Sequence, residues 1–470
     1  MSSASVRNYV AGQWCEPAHT GHVNVENPST GDVIARTPLS TATEGDRAVE
    51  AAAAAFPQWR AMPAARRAQP LAALAARMRQ NEERLSRTIT EEMGKSLPDA
   101  RAEVKRAIEN CEVACGMPML QQGCKLVGAS FGIDGEVLRL PLGVFALAGP
   151  FNFPCMVPFW FFPYAVAAGN TFVVKPSERV PLTMQVVTEL IAGIDFPPGV
   201  FNLVNGDRVV VDALLEHPLV RGFSLVGATA TCRAVAEKCA RNNKRCQALG
   251  SAKNHLVVMP DARVDDVIRN MITSCYGCAG QRCMASSVIV AVGEAMYRTI
   301  CEDFVAASRQ VIVADPLDPR LAEEPMLMGP VISVKAKQFI LDMIETSVKE
   351  GARLAMDGRN LVVPGREKGH FVGPTIFVDV RPGMQIHKTE IFGPVVAILK
   401  AESFDEAVQI INDHQYGNGA SIYTQDGYWA RRFKLEVECG MIGVNVGIPA
   451  PVAQLPFGGM KASLYSDIKA

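Results

Sequence analysis

From residue 143 onward, short apolar segments alternate with segments of helical periodicity, and this alternation limits the chain to few folds. The apolar segments are of strand length: Gly143–Ala148, Thr171–Val174, Phe201–Val204 and Gly222–Val226. Leu182–Ile194 and Val209–Glu216 lie between the later ones and repeat apolar residues at spacings of three and four, which predicts helices. Alternating strands and helices are typical of a parallel, doubly wound α/β sheet.

A second alternating region begins near Asn254 and predicts a second α/β domain. Its strands and helices are expected at His255–Met259, Val288–Val292, Met296–Arg309, Ser333–Lys349 and Phe404–Asn412. Before the first sheet, the spacing of apolar residues predicts helices at Thr41–Trp59, Pro63–Gly94 and Ser96–Cys115. Phe131–Leu140 alternates weakly, which is typical of one strand of a hairpin that leaves the domain as a small arm.

The composition excludes several classes of function. A net charge of -1 over 470 residues gives no electrostatic footprint for nucleic acid, so no nucleic-acid partner is expected. No apolar run reaches the ~20 residues that span a bilayer, and the N-terminus lacks the apolar core of a signal peptide. We therefore expect a cytoplasmic protein of two or three domains without a membrane partner.

The 13 cysteines form no CxxC pair and no cluster of histidines accompanies them, so no metal is expected. In a long cytosolic chain the thiols are expected to be reduced, and most of them to be inert packing residues. Cys283 is different, because it follows Arg282 and the glycine loop at Gly280. A cation beside a cysteine favours its thiolate, although a packing role is the more common one for any single cysteine.

Polar residues follow the predicted strands, at positions where α/β sheets bind ligands. Asn152 lies between aromatic and proline residues in 150–154, although an asparagine turn is the simpler interpretation of this segment alone. Lys175 and Glu178 close the next strand, where they suit the edge of a ribose or, alternatively, a solvated loop. Gly227 opens a helix whose N-terminus suits a phosphate, but a lone glycine is weaker evidence than a GxGxxG motif.

Two more segments each allow two interpretations. Glu390 precedes an aromatic turn at 391–394, which favours either a surface turn or a carboxylate that binds a sugar hydroxyl. Arg106 shares a helical face with Glu103 and Asn110, and from the sequence alone a solvated polar stripe is the preferred interpretation.

Taken together and in order, these motifs resemble the aldehyde dehydrogenase superfamily over nearly the whole chain, from about Tyr9 to Ser463. The matching strings are PFNFP at 150–154, KPSE at 175–178, PPGVFNLVNG at 197–206, GQRC at 280–283 and EIFGPV at 390–395. Within the superfamily the chain most resembles the methylmalonate- and malonate-semialdehyde dehydrogenases, which acylate coenzyme A. The strings of this finer resemblance are EVKRAIEN at 103–110, FNFPCMVPFWFFP at 151–163, AKNHLVVMPDA at 252–262, GQRCMA at 280–285 and GVNVGIPAPVA at 443–453.

The resemblance implies a nucleophile, an oxyanion hole and a substrate clamp. Cys283 attacks the aldehyde carbonyl, and Asn152 together with the backbone N–H of Cys283 stabilises the developing negative charge. Hydride then passes to NAD and leaves a thioacyl enzyme. Arg106 and Arg282 match the two arginines that hold the substrate carboxylate in this subgroup, since a guanidinium pairs bidentately with a carboxylate.

The resemblance also implies an NAD site. The residues that it assigns to the cofactor are Phe151, Lys175, Glu178, Gly227, Glu390 and Phe392. Among these, Lys175 and Glu178 match contacts to the adenosine ribose, Glu390 matches the contact to the nicotinamide ribose, and Phe392 would pack beside that ribose.

The implied reaction oxidises malonate or methylmalonate semialdehyde, a small acidic aldehyde, with coenzyme A as co-substrate and acetyl-CoA or propionyl-CoA as product. Hydrolytic relatives carry a glutamate four residues before the lysine of an ELGGK-type segment, and that carboxylate activates water. Anchored on Lys253, this position holds Leu249, or Ala248 with a shift of one, and 247–255 contains no carboxylate. Acyl transfer to coenzyme A is therefore expected to outrun hydrolysis.

The implied fold is α/β with three parts. A doubly wound NAD-binding domain takes residues 1–116 and 138–249, and a second α/β domain, the catalytic one, takes 250–450. A small β oligomerisation arm combines 117–137 with 451–470, and a homodimer or homotetramer is expected.

Three features depart from the superfamily. Cys232 replaces a second glycine after the third strand, and Gly250 with Ser251 replaces the usual residues before Ala252. The chain stops at Ala470, whereas relatives continue for a few tens of residues that supply the last oligomerisation strand. An unpaired edge would follow, so poor assembly is expected.

Two other functions remain compatible with the sequence. One is a dehydrogenase of another small anionic aldehyde, such as a phosphonate aldehyde, which the same arginines would suit. The other is an inactive binding or structural protein on an enzyme scaffold. NADH formation, with Cys283 intact and substituted, separates the second from an enzyme.

Overall fold

The structure, a computed structural model, describes residues 4–449 and 451–466. Within those residues, the first sheet has eight strands, in the spatial order Leu464–Ser466, Arg245–Leu249, Val220–Val226, Val144–Ala148, Thr171–Lys175, Phe201–Leu203, Asn8–Val10 and Gln13–Cys15. Over the same range, the second sheet has seven, in the order Arg353–Met356, Thr375–Val378, Val395–Ala401, Val288–Val292, His255–Val258, Gly419–Tyr423 and Met441–Val444. Both sheets are parallel in the centre, so the predicted α/β class is confirmed.

Helices connect these strands. Those of the N-terminal half are Ala42–Ala61, Ala64–Gln80, Glu82–Met93, Leu97–Cys115, Met117–Leu120, Met156–Phe159, Phe162–Ala167, Leu182–Ala192, Arg208–Glu216 and Thr229–Arg241. Those of the C-terminal half are Val264–Tyr276, Glu294–Ser308, Val334–Lys349, Gln385–Lys388, Phe404–Asn412 and Gly427–Glu436, with a short 3-10 turn at Gly277–Gly280. No helix among the described residues is long and apolar enough to cross a membrane.

The single helix predicted at 63–94 is two helices, because helical geometry is interrupted at Asn81. The backbone there has φ -113° and ψ 18°, and the Asn81 side chain donates to the Arg77 carbonyl at 2.8 Å. Asparagine competes for backbone hydrogen bonds in this way, which apolar periodicity alone does not reveal.

The strand order decides where a ligand can bind. Val144–Ala148 lies between Val220–Val226 and Thr171–Lys175, so the winding of the chain reverses at this strand. Such a switch point leaves a crevice at the carboxyl ends of the strands. Asn152, in the loop after Val144–Ala148, bonds to the carbonyl of Gln281, which lies in the segment before a strand of the second sheet. The carboxyl edge of the first sheet therefore meets the amino edge of the second.

The remaining strands form small sheets at the periphery. They pair Val33–Ser40 with Ala4–Ser5 and His19–Glu26, Ile312–Val313 with Leu327–Met328, Tyr416–Gly417 with Met460–Lys461, and Cys124–Ser130 with Ile133–Val137. The last pair confirms the predicted hairpin, and apolar side chains such as Val127 and Phe131 are exposed on it.

The described C-terminal strand, Leu464–Ser466, pairs antiparallel with Arg245–Leu249 and so extends the first sheet of its own chain. The union of 117–137 and 451–470 in one oligomerisation arm, and the domain boundaries, stay predictions. Residues 1–3, 450 and 467–470 of those predicted units lie outside the described residues.

Candidate functional site

The loop after Val144–Ala148 holds Asn152 in a fixed position. The Asn152 side chain is buried, and its Nδ2 donates to the Gln281 carbonyl at 2.9 Å. A primary amide has two N–H donors, so Nδ2 retains one for a further acceptor. The structure therefore ties Asn152 directly to the segment that carries Cys283.

Lys95 and Glu103 form an ion pair beneath this loop, and both side chains are 0% exposed. Lys95 Nζ lies 2.6 Å from Glu103 Oε2 and donates to the Asn152 carbonyl at 2.6 Å. Glu103 Oε1 accepts the N–H groups of Cys155 and Met156. The interpretation of Glu103 as part of a solvated stripe is therefore wrong, because its charge is buried, paired and hydrogen-bonded.

The chain before Cys283 makes a left-handed turn. Cys278, Ala279 and Gly280 have φ of 52°, 53° and 71°. Residues with side chains adopt this region at a cost of roughly 1–2 kcal/mol each. Glycine is required at the third position, since a Cβ there would lie 2.2 Å from the Gly393 carbonyl oxygen. Surrounding contacts must hold a turn of this kind in place.

Two polar side chains supply those contacts. Asp99 Oδ2 accepts the N–H of Cys278 at 3.0 Å. The buried Gln281 side chain donates to the Cys278 carbonyl at 3.1 Å and accepts the N–H of Ile332 at 2.9 Å. Asp99 was not singled out by sequence reasoning, because a helix N-terminal aspartate normally has a capping or surface role.

Two amides that sequence reasoning also missed fix the backbone of Cys283. Asn254 Nδ2 donates to the Cys283 carbonyl at 2.8 Å, and Asn418 Nδ2 donates to the same oxygen at 3.2 Å. They immediately precede His255–Val258 and Gly419–Tyr423, so both stand at the amino edge of the second sheet. The available signal was an asparagine before an apolar segment, which alone indicates only a turn.

Arg282, the neighbour of Cys283 in the chain, does not by itself bring the pKa of the Cys283 thiol below its ordinary value. Burial, and after it the Glu390 carboxylate, raise the pKa of Cys283 to about 12, while Arg282 lowers it by less. Arg282 favours the thiolate as expected, but desolvation outweighs the effect of this one cation. Formation of the thiolate needs a further positive charge or a proton acceptor.

A cavity of about 330 Å³ is lined by Cys283 together with both predicted arginines, Arg106 and Arg282. Apolar walls come from Phe153 and Trp160, among others. The fold thus brings the three polar residues to one cavity, although they come from two separate regions of the chain. A small molecule with an acidic end and an electrophilic end matches this lining.

The two arginines are held differently. Arg106 Nη1 pairs with Glu109 at 2.7 Å, and these side chains are 37% and 36% exposed. Arg282 donates to the carbonyls of Gly277 and Thr273, each at 2.9 Å. An accessible ion pair is weak, so Arg106 can exchange Glu109 for another carboxylate. Arg282 is fixed to backbone and acts as a rigid cation.

On the other side of the site, Lys175 ends a strand of the first sheet and is buried, so the solvated-loop alternative fails for it. Its Nζ lies 3.1 Å from Glu178 Oε2. Burial raises the pKa of Glu178, but Lys175 and hydrogen bonds outweigh it and lower the pKa below its ordinary value. Glu178 is therefore an ionised acceptor at neutral pH.

The glycine loop at Gly227 is open. A Cβ on Gly227 would meet no heavy atom within 4 Å, so a ligand has room to approach the backbone. Cys232, the residue that departs from the superfamily pattern, is buried, and the carbonyls of Gly227 and Leu249 both lie within hydrogen-bonding distance of its single S–H. Its side chain supports the loop from the core and leaves the approach to the helix Thr229–Arg241 open.

The half-buried Glu390 and the buried Lys253 form an electrostatically coupled pair. Burial raises the pKa of Glu390 to about 7, against the opposing N–H of Ala252, which donates to Oε1 at 3.0 Å. Burial lowers the pKa of Lys253 to about 7, against the opposing charge of Glu390. Both groups therefore titrate near neutral pH, and their charges depend on what binds beside them.

Phe392 lies with Glu390 and Cys283 in a second, smaller pocket. It has φ 57°, and its ring packs edge-to-face on Phe151 with centroids 5.8 Å apart. The surface-turn alternative for this segment is wrong, because the turn lines the site.

The structure also brings together three histidines that are distant in sequence. The rings of His255, His387 and His414 pack with centroids 5.0–5.3 Å apart, and Nε2 of His255 lies 3.0 Å from Nε2 of His387. Burial lowers the pKa of each ring. Among the described residues, no group of three or more ligating side chains has an arrangement that could hold a metal ion.

Comparisons with known proteins show the family of the chain. Residues 14–469 match the aldehyde dehydrogenase family, and the chain belongs to that family. Malonate-semialdehyde dehydrogenase 1 of Geobacillus kaustophilus is 43% identical over 463 residues, which cover 98% of this chain and 93% of the relative. The predicted family and enzyme class are confirmed.

Solved structures confirm the fold. Methylmalonate-semialdehyde dehydrogenase of Oceanimonas doudoroffii superposes with a TM-score of 0.95 at 38% identity, covering 99% of this chain and 94% of that one. Betaine aldehyde dehydrogenase of Staphylococcus aureus, in complex with NAD+, superposes with a TM-score of 0.93 at 27% identity, covering 97% and 90%.

Proposed function

We propose that this enzyme oxidises malonate or methylmalonate semialdehyde with NAD and transfers the acyl group to coenzyme A. The observation that carries the proposal is the cavity that Arg106 and Arg282 share with Cys283. Guanidinium groups suit the carboxylate of such a substrate, and the thiol suits its aldehyde. The similarity to relatives named malonate-semialdehyde dehydrogenase supports the same substrate class.

In the proposed first step the Cys283 sulfur bonds to the aldehyde carbon, and the carbonyl oxygen becomes an oxyanion. The free N–H of the Asn152 amide and the backbone N–H of Cys283 donate to that oxygen. Donors that are fixed beforehand stabilise the charge without reorganisation, and losing one typically costs roughly 10²–10³ in rate.

The donor set of the crevice fits NAD. The residues proposed to contact it are Phe151, Lys175, Glu178, Gly227, Glu390 and Phe392. The two carboxylates can accept ribose hydroxyls, and the open loop before the helix Thr229–Arg241 suits phosphate oxygens. When bound, NAD supplies the hydride acceptor and a positive charge that favours a thiolate.

The thioester on Cys283 is proposed to react with coenzyme A instead of water. The carboxylates on the cavity side are already engaged, since Asp99 accepts the Cys278 N–H and Glu103 pairs with Lys95. Leu249 and Ala248, at the position of the general base of hydrolytic relatives, cannot take a proton. A missing general base forfeits roughly 10²–10⁴ in rate.

Acyl transfer then regenerates the enzyme. The thiol of coenzyme A attacks the thioester carbon, the bond to the Cys283 sulfur breaks, and Cys283 recovers its proton. The carboxylate leaves as carbon dioxide, and its bonding electrons pass to the α-carbon, which takes a proton. The product is acetyl-CoA from malonate semialdehyde and propionyl-CoA from methylmalonate semialdehyde.

A substrate panel tests the choice of aldehyde. Malonate semialdehyde and propanal have the same number of carbons and differ in the carboxylate, so their kcat/KM values with NAD and coenzyme A can be compared directly. We expect the acid to be preferred by about tenfold or more, the value of one charge-assisted hydrogen bond. Equal values would contradict the proposal, and a higher value for a phosphonate aldehyde would favour that alternative substrate.

A further inference from the structure

We infer that Lys95 and Glu103 are positioning residues that set the Asn152 amide at the distance from Cys283 that oxidation requires. The inference rests on the proposed function, because it takes Asn152 as a donor to the oxyanion. Both side chains are 0% exposed, and their charged groups are bound to each other and to the backbone of the Asn152 loop.

The ion pair holds the Asn152 loop at two points. Lys95 binds the carbonyl of Asn152 itself, and Glu103 binds the N–H groups of Cys155 and Met156, further along the same loop. The segment 152–156, which begins with Asn152, is thus fixed at both of its ends to one buried pair. Small displacements matter here, because a shift of about 1 Å in a catalytic group can cost roughly 10²-fold in rate.

The surroundings of Lys95 leave its ammonium little freedom. It has three donors, of which two bind Glu103 and Asn152, while the ring of Phe153 lies 4.0 Å from Nζ. Each of these partners belongs to the helix or the loop that the pair connects. The ammonium is therefore a rigid joint between the two elements.

The helix Leu97–Cys115, which carries Glu103, also contacts the left-handed turn before Cys283. Asp99 accepts the N–H of Cys278 in the strained turn, and Glu103 lies one helical turn further on, under the Asn152 loop. Residues four apart share a helix face, so one rigid element contacts both loops. The spacing between Asn152 and Cys283 is thereby coupled to a single helix.

Stability alone does not account for this pair. Replacing a buried ion pair by apolar groups of similar volume is often neutral or stabilising. If the pair positions Asn152, its loss should lower kcat without lowering the affinity for the cofactor.

The decisive variant is Lys95→Met combined with Glu103→Gln. It removes both charges at nearly constant volume and leaves a side-chain oxygen for the Cys155 and Met156 N–H groups, but it deletes the donor to the Asn152 carbonyl. We expect kcat with malonate semialdehyde to fall roughly 10–100-fold. NADH affinity, measured by fluorescence, should be unchanged. Lys105→Met, an exposed lysine on the same helix, is the control and should retain full activity.

A double-mutant cycle distinguishes positioning from general packing. If the pair acts through Asn152, the same variant should lose less than about threefold in kcat when Asn152→Ala is already present. An equal loss in both backgrounds would overturn the inference, and so would full activity of the double variant.

A second variant and the unsubstituted enzyme separate a folding defect and a failure of the proposed function from a failure of this inference. If the double variant fails to fold by circular dichroism, Lys95→Arg preserves the charge pair but reshapes the contact to Asn152, and it should show the same non-additivity with a smaller loss. Additive loss in that variant would equally overturn the inference. Failure of the proposed function is distinct, since the unsubstituted enzyme would then produce no NADH from malonate semialdehyde.

Discussion

The two sides of Cys283 present different charged groups. The cavity side presents the guanidinium groups of Arg106 and Arg282, whereas the smaller pocket, which Arg282 also lines, contains the carboxylate of Glu390. Glu178, in the loop that follows the strand Thr171–Lys175, adds a second carboxylate to the crevice. The cavity therefore offers two guanidinium groups to an anionic molecule, and the crevice offers two carboxylates to hydroxyl groups.

This difference teaches that charge, as well as shape, separates substrate from cofactor in the proposed reaction. Cys283 lines both spaces, and burial raises the pKa of its thiol. Substitutions can test this contrast at Cys283 itself, then on the carboxylate side and then on the guanidinium side. The expected loss of activity decreases in that order.

The largest effect is expected at the centre. Cys283→Ala should lower NADH formation by roughly 10⁴-fold or more with every aldehyde, because it removes the proposed nucleophile. Cys301→Ala, in a half-buried cysteine on Glu294–Ser308, is the matched control and should keep its activity. Substantial turnover by Cys283→Ala would show that another group forms the covalent intermediate.

The carboxylate side should exclude NADP. Glu178 is ionised and placed by resemblance near the adenosine ribose, so a 2′-phosphate would meet a like charge. We expect kcat/KM to favour NAD over NADP on the order of 10²-fold, and Glu178→Gln to narrow the ratio. Equal values for the two cofactors in the unsubstituted enzyme would contradict this role.

The guanidinium side should select acidic aldehydes. Arg106→Ala and Arg282→Ala should each reduce kcat/KM for malonate semialdehyde roughly 10–100-fold, since a charge-assisted hydrogen bond contributes about 1.5–3 kcal/mol. Propanal, without a carboxylate, is the internal control and should lose much less. Equal losses for both aldehydes would mean that the arginines maintain structure and do not bind substrate.

The smallest expected effect is the pH dependence of cofactor binding. Glu390 accepts ribose hydroxyls most strongly when ionised, and burial raises its pKa to about 7, so the ionised fraction falls as the pH decreases through 7. The KM for NAD should therefore rise about tenfold between about pH 8 and pH 6.

Two variants check the origin of that dependence. Glu390→Gln should remove the slope, and Glu402→Gln, an exposed glutamate, should preserve it. A slope that persists in Glu390→Gln would assign the titration to a different group.

The sequence predicted the two sheets well, because strand length and apolar periodicity depend on local residues. It failed at Asn81, where one side-chain hydrogen bond ends a helix, and at Glu103, whose burial depends on a loop that lies far along the chain. A helical face of charged residues has the same pattern whether solvent or another loop covers it.

The site residues also divide into those that the sequence revealed and those that it did not. Cys283, Arg106 and Arg282 were found through resemblance to a family, since no local pattern shows that they share a cavity. Asn254 and Asn418 were missed because each binds the Cys283 carbonyl only after the second sheet has formed. The pKa of Cys283 likewise depends on desolvation, which sequence neighbours do not reveal.

The central claim is that the Cys283 thioester passes to coenzyme A. It is tested most directly by steady-state NADH production from malonate semialdehyde, with and without coenzyme A, together with identification of the product. Because no general base stands at Leu249 or Ala248, water attack should be slower by roughly 10²–10⁴-fold. The account predicts a rate that depends on coenzyme A, with acetyl-CoA as the product. A rate independent of coenzyme A, with free acid as the only product, would contradict it and would indicate that another carboxylate, such as Glu390, activates water.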